Sequence, residues 1–177
     1  MTIRFNTGDL LAQQGIIVHG CNCFGKMGSG MAKAIRNRYP FAYRAYMNRF
    51  EVFGLQLGDI VAVANPKLRM QQPELMRHIS QFDESIPEGV IVVNAMTQYD
   101  YATSDDTSTR VFADYPAIEA AFARIYMIAA ATKMPVNYPL IGCGLARGKW
   151  PEVRERIERS MKNIDSDLWL LPGATVE

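Results

Sequence analysis

The chain has 177 residues, of which 49% are hydrophobic and 21% charged, with a formal net charge of +1. This composition is that of an ordinary globular protein, and the length predicts a single domain over residues 1–177 with a sizeable core. The small net charge argues against a dominant role in binding nucleic acid or a membrane surface, because it supplies no large positive field.

No run of about 18 apolar residues is present, so no transmembrane helix is expected. The first residues lack the apolar segment of a secretory signal peptide, which predicts a cytoplasmic location. Of the three cysteines, Cys21 and Cys23 lie one residue apart, and no second pair or histidine cluster accompanies them. This pattern favours neither a disulfide framework nor a zinc site, so no metal is expected.

Apolar runs and amphipathic segments alternate along the chain, which indicates a layered α/β domain. Several of the runs are continuous in Val, Ile and Leu, as in strands that helices cover on both faces. Asp114 is expected to cap the helix that contains Pro116 in its first turn. Strands are predicted over residues 3–5, 16–19, 60–64, 90–95, 136–140 and 168–171, and helices over residues 31–39, 41–53, 74–82, 117–132 and 151–161.

The most informative segment runs from the second predicted strand through a glycine-rich loop into a helix. His19 and Asn22 lie at the tip of the strand, and Gly28 and Gly30 precede the helix. Glycines let backbone N–H groups approach a ligand, and a helix N-terminus adds free donors and a positive dipole, so the segment suits a phosphate. Its spacing matches neither the P-loop nor the dinucleotide-binding fingerprint. A glycine-rich turn without a ligand is the alternative.

A second unit of strand, glycine loop and helix follows the predicted strand at residues 136–140. In an open α/β sheet, ligands bind beyond the carboxyl ends of the strands, so the two loops would meet at one edge. Two such loops suit a diphosphate better than a single phosphate. The second loop consists of Gly142, Cys143, Gly144, Leu145 and Ala146.

A lone carboxylate, Asp9, occurs in a turn at the end of the first predicted strand, between Gly8 and Leu10. An aspartate in this position often bonds its own backbone and so forms the turn. The alternative is that Asp9 accepts a hydrogen bond from a ligand, for example from an exocyclic amine.

Five short motifs are spread in order over residues 1–171: Gly8-Asp9-Leu10, His19-Gly20-Cys21-Asn22-Cys23, Gly28-Ser29-Gly30-Met31-Ala32, Arg38-Tyr39-Pro40 and Gly142-Cys143-Gly144-Leu145. Together they resemble the macro domain family, whose members bind ADP-ribose. The resemblance is closest to the branch of the yeast-type ADP-ribose 1″-phosphate phosphatase and its phage relatives. It implies a three-layer α/β/α fold with a central mixed sheet, and a small-molecule ligand, ADP-ribose or ADP-ribose 1″-phosphate, with no cofactor.

The resemblance also implies a role for residues at matching positions. Asp9, next to Leu10, matches the carboxylate that accepts from the adenine amino group, and Asn22 matches the asparagine that contacts the distal ribose. Two segments match those whose backbone amides hold the diphosphate and the distal ribose: Gly28, Ser29, Gly30 and Met31, and Gly142, Cys143, Gly144, Leu145 and Ala146.

His19 matches the histidine implicated in the phosphatase branch, which hydrolyses ADP-ribose 1″-phosphate to ADP-ribose and phosphate. Imidazole titrates near neutral pH and can act as general acid, base or nucleophile. A carboxylate partner would be Asp100, Asp105 or Asp106, in the loop after the predicted strand at residues 90–95. The alternative is a buried histidine at the end of a strand, bonded to the backbone.

Two other functions remain open, a non-catalytic ADP-ribose-binding module and an ADP-ribosyl hydrolase acting on a modified protein or nucleic acid. The resemblance disfavours the hydrolase, because that branch relies on a lysine after the strand that matches residues 90–95 and on an aspartate just after G-C-G-L. This chain has no lysine between Asn94 and Tyr101, and Ala146 stands at the aspartate position. A nicotinamide-dependent oxidoreductase is disfavoured by the spacing of both glycine loops.

Overall fold

The computed structural model describes residues 1–71, 73–103 and 105–176. Seven strands form one sheet in the order β1-β7-β6-β2-β5-β3-β4. The sheet is mixed, because β3 and β5 pair antiparallel while the other neighbouring strands are parallel. The strands are Ile3–Thr7 (β1), Gly15–Cys21 (β2), Ile60–Ala64 (β3), Gln81–Phe82 (β4), Val90–Met96 (β5), Val136–Tyr138 (β6) and Ser166–Leu170 (β7).

Helices connect the strands, and none within the described residues is long and apolar enough to cross a membrane. The expected cap of α4 is confirmed, since Oδ1 of Asp114 accepts from the N–H of Ala117 at 2.8 Å and Pro116 lies in the first turn. The α-helices are Gly30–Arg38 (α1), Pro40–Phe53 (α2), Pro66–Gln71 (α3), Tyr115–Thr132 (α4) and Trp150–Met161 (α5), and the 3₁₀ helices are Leu10–Ala12 and Pro73–Arg77.

Helices cover both faces of the sheet, which gives three layers. Successive strand residues point to opposite faces, and β2 shows the consequence. Ile17 packs on one side in a cluster with Tyr46 of α2, whereas Ile16 and Val18 pack on the other side in a cluster with Phe122 of α4. The three-layer α/β/α arrangement with a mixed sheet is therefore confirmed.

One predicted helix, over residues 74–82, is wrong. The 3₁₀ helix Pro73–Arg77 is followed by β4, which pairs in parallel with β3. The N–H of Ser80 donates to the carbonyl of Ala62, and the N–H of Ala62 donates to the Ser80 hydroxyl, so the sheet edge binds this segment in an extended form. The other predicted strands and helices are present, with ends that differ by at most two residues.

The order of the strands determines where the loops meet. Strands β6, β2 and β5 are adjacent and parallel, and in their register Cys21 lies opposite Met96. The segments that follow these three strands therefore leave the sheet at one edge. They include both glycine loops predicted from the sequence.

Candidate functional site

A cleft of about 610 Å³ opens at this edge of the sheet. This volume is in the range of small-molecule sites. Its walls come from the end of β2, the first glycine loop, α1 and α2, from residues after β5, and from the loop after β6. The predicted ligand-binding residues that line it are Asn22, Gly28, Ser29, Gly30, Met31, Gly142, Gly144, Leu145 and Ala146.

The side chain of Asn22 organises the first glycine loop. Its Nδ2 donates to the carbonyl of Lys26 at 2.8 Å, and its Oδ1 accepts from the N–H groups of Phe24 at 2.9 Å and Lys26 at 3.3 Å. The hydroxyl of Tyr46 donates to the carbonyl of Asn22 at 2.7 Å. Because the amide carries two N–H donors, it can hold the loop through one and still present the other to a ligand.

Helix α1 begins at the cleft with Gly30, whose φ of 55° lies in the left-handed region. The N-cap residue, Ser29, makes no capping bond with its side chain. The N–H groups of the first turn therefore receive no capping bond from this side chain, and their role in binding a phosphate stays a prediction. A Cβ at Gly30 would meet no protein atom within 4 Å, so its direction is open space.

The second glycine loop is a compact turn held by its own backbone. The N–H of Gly148 donates to the carbonyl of Gly142 at 2.7 Å, and the N–H of Arg147 donates to that of Gly144 at 2.9 Å. The carbonyl of Ala146 accepts from two N–H groups of the segment before α4, those of Phe112 and Ala113. Both glycine loops thus present defined backbone to the same cleft.

Three predicted ligand-binding residues, Asp9, Leu10 and Cys143, lie outside the cleft lining. Asp9 is exposed and caps the 3₁₀ helix, with its Oδ1 accepting from the N–H of Leu11 at 2.8 Å. The structure thus shows the turn-forming role, and contact with adenine stays a prediction. Leu10 is buried, and the Cys143 thiol donates to the carbonyl of Ile141.

His19 also lies outside the cleft, in the core between β2 and α2, rather than at an exposed strand tip. Its ring is fully buried, and Nε2 lies 2.7 Å from Oδ1 of Asn94. The amide of Asn94 donates to the carbonyls of Ala42 and Val61, so its oxygen is the acceptor and the histidine Nε2–H the donor. Burial lowers the pKa of His19 to about 4, and the ring is neutral at pH 7. This geometry does not support the catalytic role, which stays an untested prediction.

The carboxylates considered as partners of His19 are engaged elsewhere. Oδ1 of Asp100 accepts from the N–H of Tyr101, and hydrogen bonding to Thr103 lowers the pKa of Asp105. Asp106 pairs with Arg147 at 3.4 Å. In the parts of the chain that are described, none of the three forms a hydrogen bond with His19 or lines the cleft.

The cleft is positively charged. Among its described lining residues, only Lys26 and Arg36 carry a formal charge, and no carboxylate or histidine contributes to the walls. The guanidinium of Arg36 lies 5.5 Å from the ring centroid of Tyr43, which also lines the cleft. With the backbone donors of two glycine loops, this lining suits an anionic ligand.

The cysteines near the cleft are not activated nucleophiles. Burial raises the pKa of Cys21, which lines the cleft, and raises those of Cys23 and Cys143 to about 11. A thiol is reactive as the thiolate, and these thiols stay protonated at neutral pH. Within the described residues, no group of three or more His, Cys, Asp and Glu side chains is arranged to hold a metal ion.

Several lining residues were not among the residues predicted to bind the ligand. Gln98 and Tyr101 follow β5, and the rule that placed the glycine loops at the carboxyl edge of the sheet applies to them equally. Lys26 lies inside the first glycine loop, so its place in the lining could also have been predicted from the sequence. Arg36 and Tyr43 come from two different helices, and only the packing of α1 against α2 brings them together.

No family model matches the chain. Among curated proteins, it is similar to an ADP-ribose 1″-phosphate phosphatase of Aspergillus oryzae, at 29% identity over 90 residues, which cover 50% of this chain and 43% of that protein. A protein of the same name from Chaetomium globosum is 42% identical over 48 residues, or 26% of each chain. The aligned regions thus span less than half the length of these relatives.

Solved structures resemble this chain over nearly its whole length. A macrodomain protein from Streptomyces coelicolor superposes with a TM-score of 0.67 at 25% identity, covering 95% of this chain and 98% of that one. The macrodomain of Mycobacterium tuberculosis DarG gives a TM-score of 0.68 at 20% identity, covering 95% and 97%. Thermosipho africanus DarTG in complex with ADP-ribose gives 0.68 at 15% identity, covering 98% of this chain and 43% of that chain.

Proposed function

We propose that this chain, which has the macro domain fold and resembles the ADP-ribose 1″-phosphate phosphatase branch, binds ADP-ribose and hydrolyses ADP-ribose 1″-phosphate. The observation that carries the proposal is the cleft itself, where two glycine loops and the start of α1 meet and the charged lining residues are both cations. The phosphatase names of the curated relatives support the reaction. The cytoplasmic location and the absence of a nucleic-acid partner stay predictions.

In this proposal the diphosphate of ADP-ribose lies between the two glycine loops, where backbone N–H groups donate hydrogen bonds to its oxygens without a side chain in the way. The distal ribose lies at Asn22, whose amide keeps a free N–H. The adenine lies towards Asp9, whose second carboxylate oxygen is not used by the cap. ADP-ribose is long enough to contact both glycine loops at once, whereas the shorter AMP is not.

Hydrolysis of the phosphomonoester requires that water adds to phosphorus while the bond to the ribose oxygen breaks and that oxygen takes up a proton. The cleft offers polar groups for orienting water and phosphate, including the side chains of Asn22, Gln98 and Tyr101. It also offers positive charge at Lys26. Positioning and electrostatic stabilisation of the phosphate are therefore the means of catalysis that these residues can supply.

A second candidate is a non-catalytic ADP-ribose-binding module. The observation that favours it is that no carboxylate or histidine lines the described cleft, so general acid–base catalysis has no side chain of the usual kind. An ADP-ribosyl hydrolase gains no support, because residues 95–100 contain no lysine and residue 146 is alanine.

Calorimetry and thermal melting with ADP-ribose test the binding. A ligand that binds only the folded state stabilises it by about 2.7 kcal/mol at a hundredfold excess over Kd. We expect such a shift with ADP-ribose and a weaker one with AMP. A protein that does not respond to millimolar ADP-ribose would contradict the proposed site.

Phosphate release from ADP-ribose 1″-phosphate separates the two candidates. We expect release by the wild type, whereas binding without release would make the chain an ADP-ribose-binding module. The His19→Gln variant keeps an N–H donor for Asn94, so we expect its rate to stay within a few-fold of wild type. A fall of about 10²–10⁴ in kcat, the typical size of one acid–base group, would instead restore the catalytic role of His19.

A further inference from the structure

The contacts proposed above for the diphosphate, the distal ribose and the adenine leave the side chain of one cation of the cleft, Lys26, without an assigned partner. We propose that Lys26 binds the terminal phosphate of ADP-ribose 1″-phosphate and makes the cleft prefer this ligand over ADP-ribose. The inference rests on the proposed function, since it takes ADP-ribose as the part of the ligand that the two glycine loops hold.

The backbone of Lys26 is fixed beside Asn22. Its carbonyl accepts from Nδ2 of Asn22 at 2.8 Å, and its N–H donates to Oδ1 of the same amide at 3.3 Å. Asn22 is the residue placed at the distal ribose, and the terminal phosphate is attached to that ribose. The long side chain of Lys26, which is exposed and lines the cleft, therefore starts next to the position of this phosphate.

The charge of Lys26 is also uncompensated. Lys26 takes part in no ion pair and no cation–π contact among the described residues, and no carboxylate lines the same cleft. A phosphomonoester carries a charge of about −1.5 to −2 at pH 7. An ammonium group can bind it as a point charge without a fixed geometry.

Arg36, the other cation of the lining, is less suited to this role. Its guanidinium lies over the ring of Tyr43 on the neighbouring helix, 5.5 Å from the centroid. No hydrogen bond links its backbone to Asn22 in the described structure, whereas two link that of Lys26. The geometry therefore favours Lys26 for the terminal phosphate.

The test compares the affinities of wild type, Lys26→Met and Lys33→Met for ADP-ribose and for ADP-ribose 1″-phosphate. Lys33 is an exposed residue of α1 outside the cleft lining, so Lys33→Met makes the same change of charge away from the site. If the phosphorylated ligand is turned over, its KM and the inhibition constant of ADP-ribose replace the two dissociation constants.

We expect wild type and Lys33→Met to bind the phosphorylated ligand about 5- to 20-fold more tightly, as for a partly exposed charged hydrogen bond. Lys26→Met should lose this preference, because its affinity for the phosphorylated ligand falls more than its affinity for ADP-ribose, and Lys26→Arg should keep most of the preference. The wild-type preference should also weaken when ionic strength rises from about 0.1 M to about 1 M, since the Debye length falls from about 10 Å to about 3 Å.

The outcomes distinguish this inference from the proposed function. If wild type binds ADP-ribose without a preference for the phosphorylated ligand, or if Lys26→Met keeps the preference, the inference is wrong and the ADP-ribose site stands. If wild type binds neither ligand, the proposed function fails and the inference fails with it.

Discussion

The imidazole of His19 donates from Nε2 to Oδ1 of Asn94 at 2.7 Å, and neither residue has exposed surface. Asn94 in turn donates to the carbonyls of Ala42 in α2 and Val61 in β3. The pair therefore joins three neighbouring strands to a helix. A buried polar group is tolerated when its hydrogen bonds are satisfied, and these contacts hold His19 within the core.

We expect acid to weaken the fold through His19. Burial lowers its pKa from 6.5 to about 4 in the folded state, so the unfolded chain takes up the proton first as the pH falls. The free energy of unfolding should therefore decrease between about pH 6.5 and pH 4, by about 3 kcal/mol from this group. Above pH 7 the group contributes no dependence on pH.

Denaturant unfolding of wild type and His19→Gln across this pH range measures the effect. Glutamine keeps a donor for Asn94 but does not titrate, so its curve records the other groups that titrate in this range, the carboxylates and His78. The wild-type curve should fall more steeply with acid, and equal slopes for the two proteins would contradict the assigned pKa shift.

The Asp9→Asn variant separates the two roles left open for this residue. Asparagine keeps an oxygen for the N–H of Leu11 but replaces the second oxygen with a donor, so the melting temperature should stay close to wild type. Affinity for ADP-ribose should fall about 10- to 100-fold, since a hydrogen bond to a charged group contributes about 1.5–3 kcal/mol. Asp83, which accepts from the N–H of Ser85 in the same manner away from the cleft, gives the matched control Asp83→Asn. Wild-type affinity in Asp9→Asn would leave Asp9 as a turn residue only.

The sequence predicted the two glycine loops and their meeting at one edge, because the positions of strands and loops follow from apolar runs and turn residues, and ligands of open α/β sheets bind beyond the carboxyl ends of the strands. It left the environment of His19 open between a catalytic position and a buried one at the end of a strand. The second strand was expected to end at residue 19, which would place the histidine at the tip of the strand, but β2 continues to Cys21 and pairs His19 with Asn94. Two additional paired residues move the imidazole from the tip into the core. The pairing of β2 with β5 determines the position of the imidazole, and the local sequence pattern does not reveal this pairing.

Gly30→Glu should abolish binding of ADP-ribose. A side chain at this position points into open space at the start of α1, so the loss would come from occupying the diphosphate position and from charge repulsion. The positive φ of 55° adds a cost in stability, for which Gly54→Glu is a control. Gly54 also has positive φ and open space around its missing Cβ, and it lies at the end of α2 outside the cleft lining. Calorimetry should show binding by Gly54→Glu and none by Gly30→Glu, and tight binding by a folded Gly30→Glu would place the phosphates elsewhere.

The second glycine loop is connected to the segment before α4 by Arg147. Its guanidinium donates to the carbonyls of Asp106 and Ser108, pairs with the Asp106 carboxylate at 3.4 Å and lies 5.7 Å from the ring centroid of Phe112. Arg147 has a φ of 57°, which is uncommon for any residue other than glycine. These side-chain contacts stabilise a backbone conformation that arginine would otherwise avoid.

Comparing Arg147→Gly with Arg147→Ala separates side-chain positioning from backbone strain. Both variants lose the guanidinium, but alanine retains the strain of the positive φ. The free energy of unfolding of Arg147→Gly should therefore exceed that of Arg147→Ala by about 1 kcal/mol.

If the guanidinium fixes the loop for the diphosphate, both variants should bind ADP-ribose about 3- to 10-fold more weakly, since the loop must then be ordered on binding. Lysine at this position keeps the charge but not the planar fork, and should restore only part of the affinity. Calorimetry and melting curves on the three variants measure both quantities, and wild-type affinity in Arg147→Gly would show that the backbone hydrogen bonds of the loop suffice.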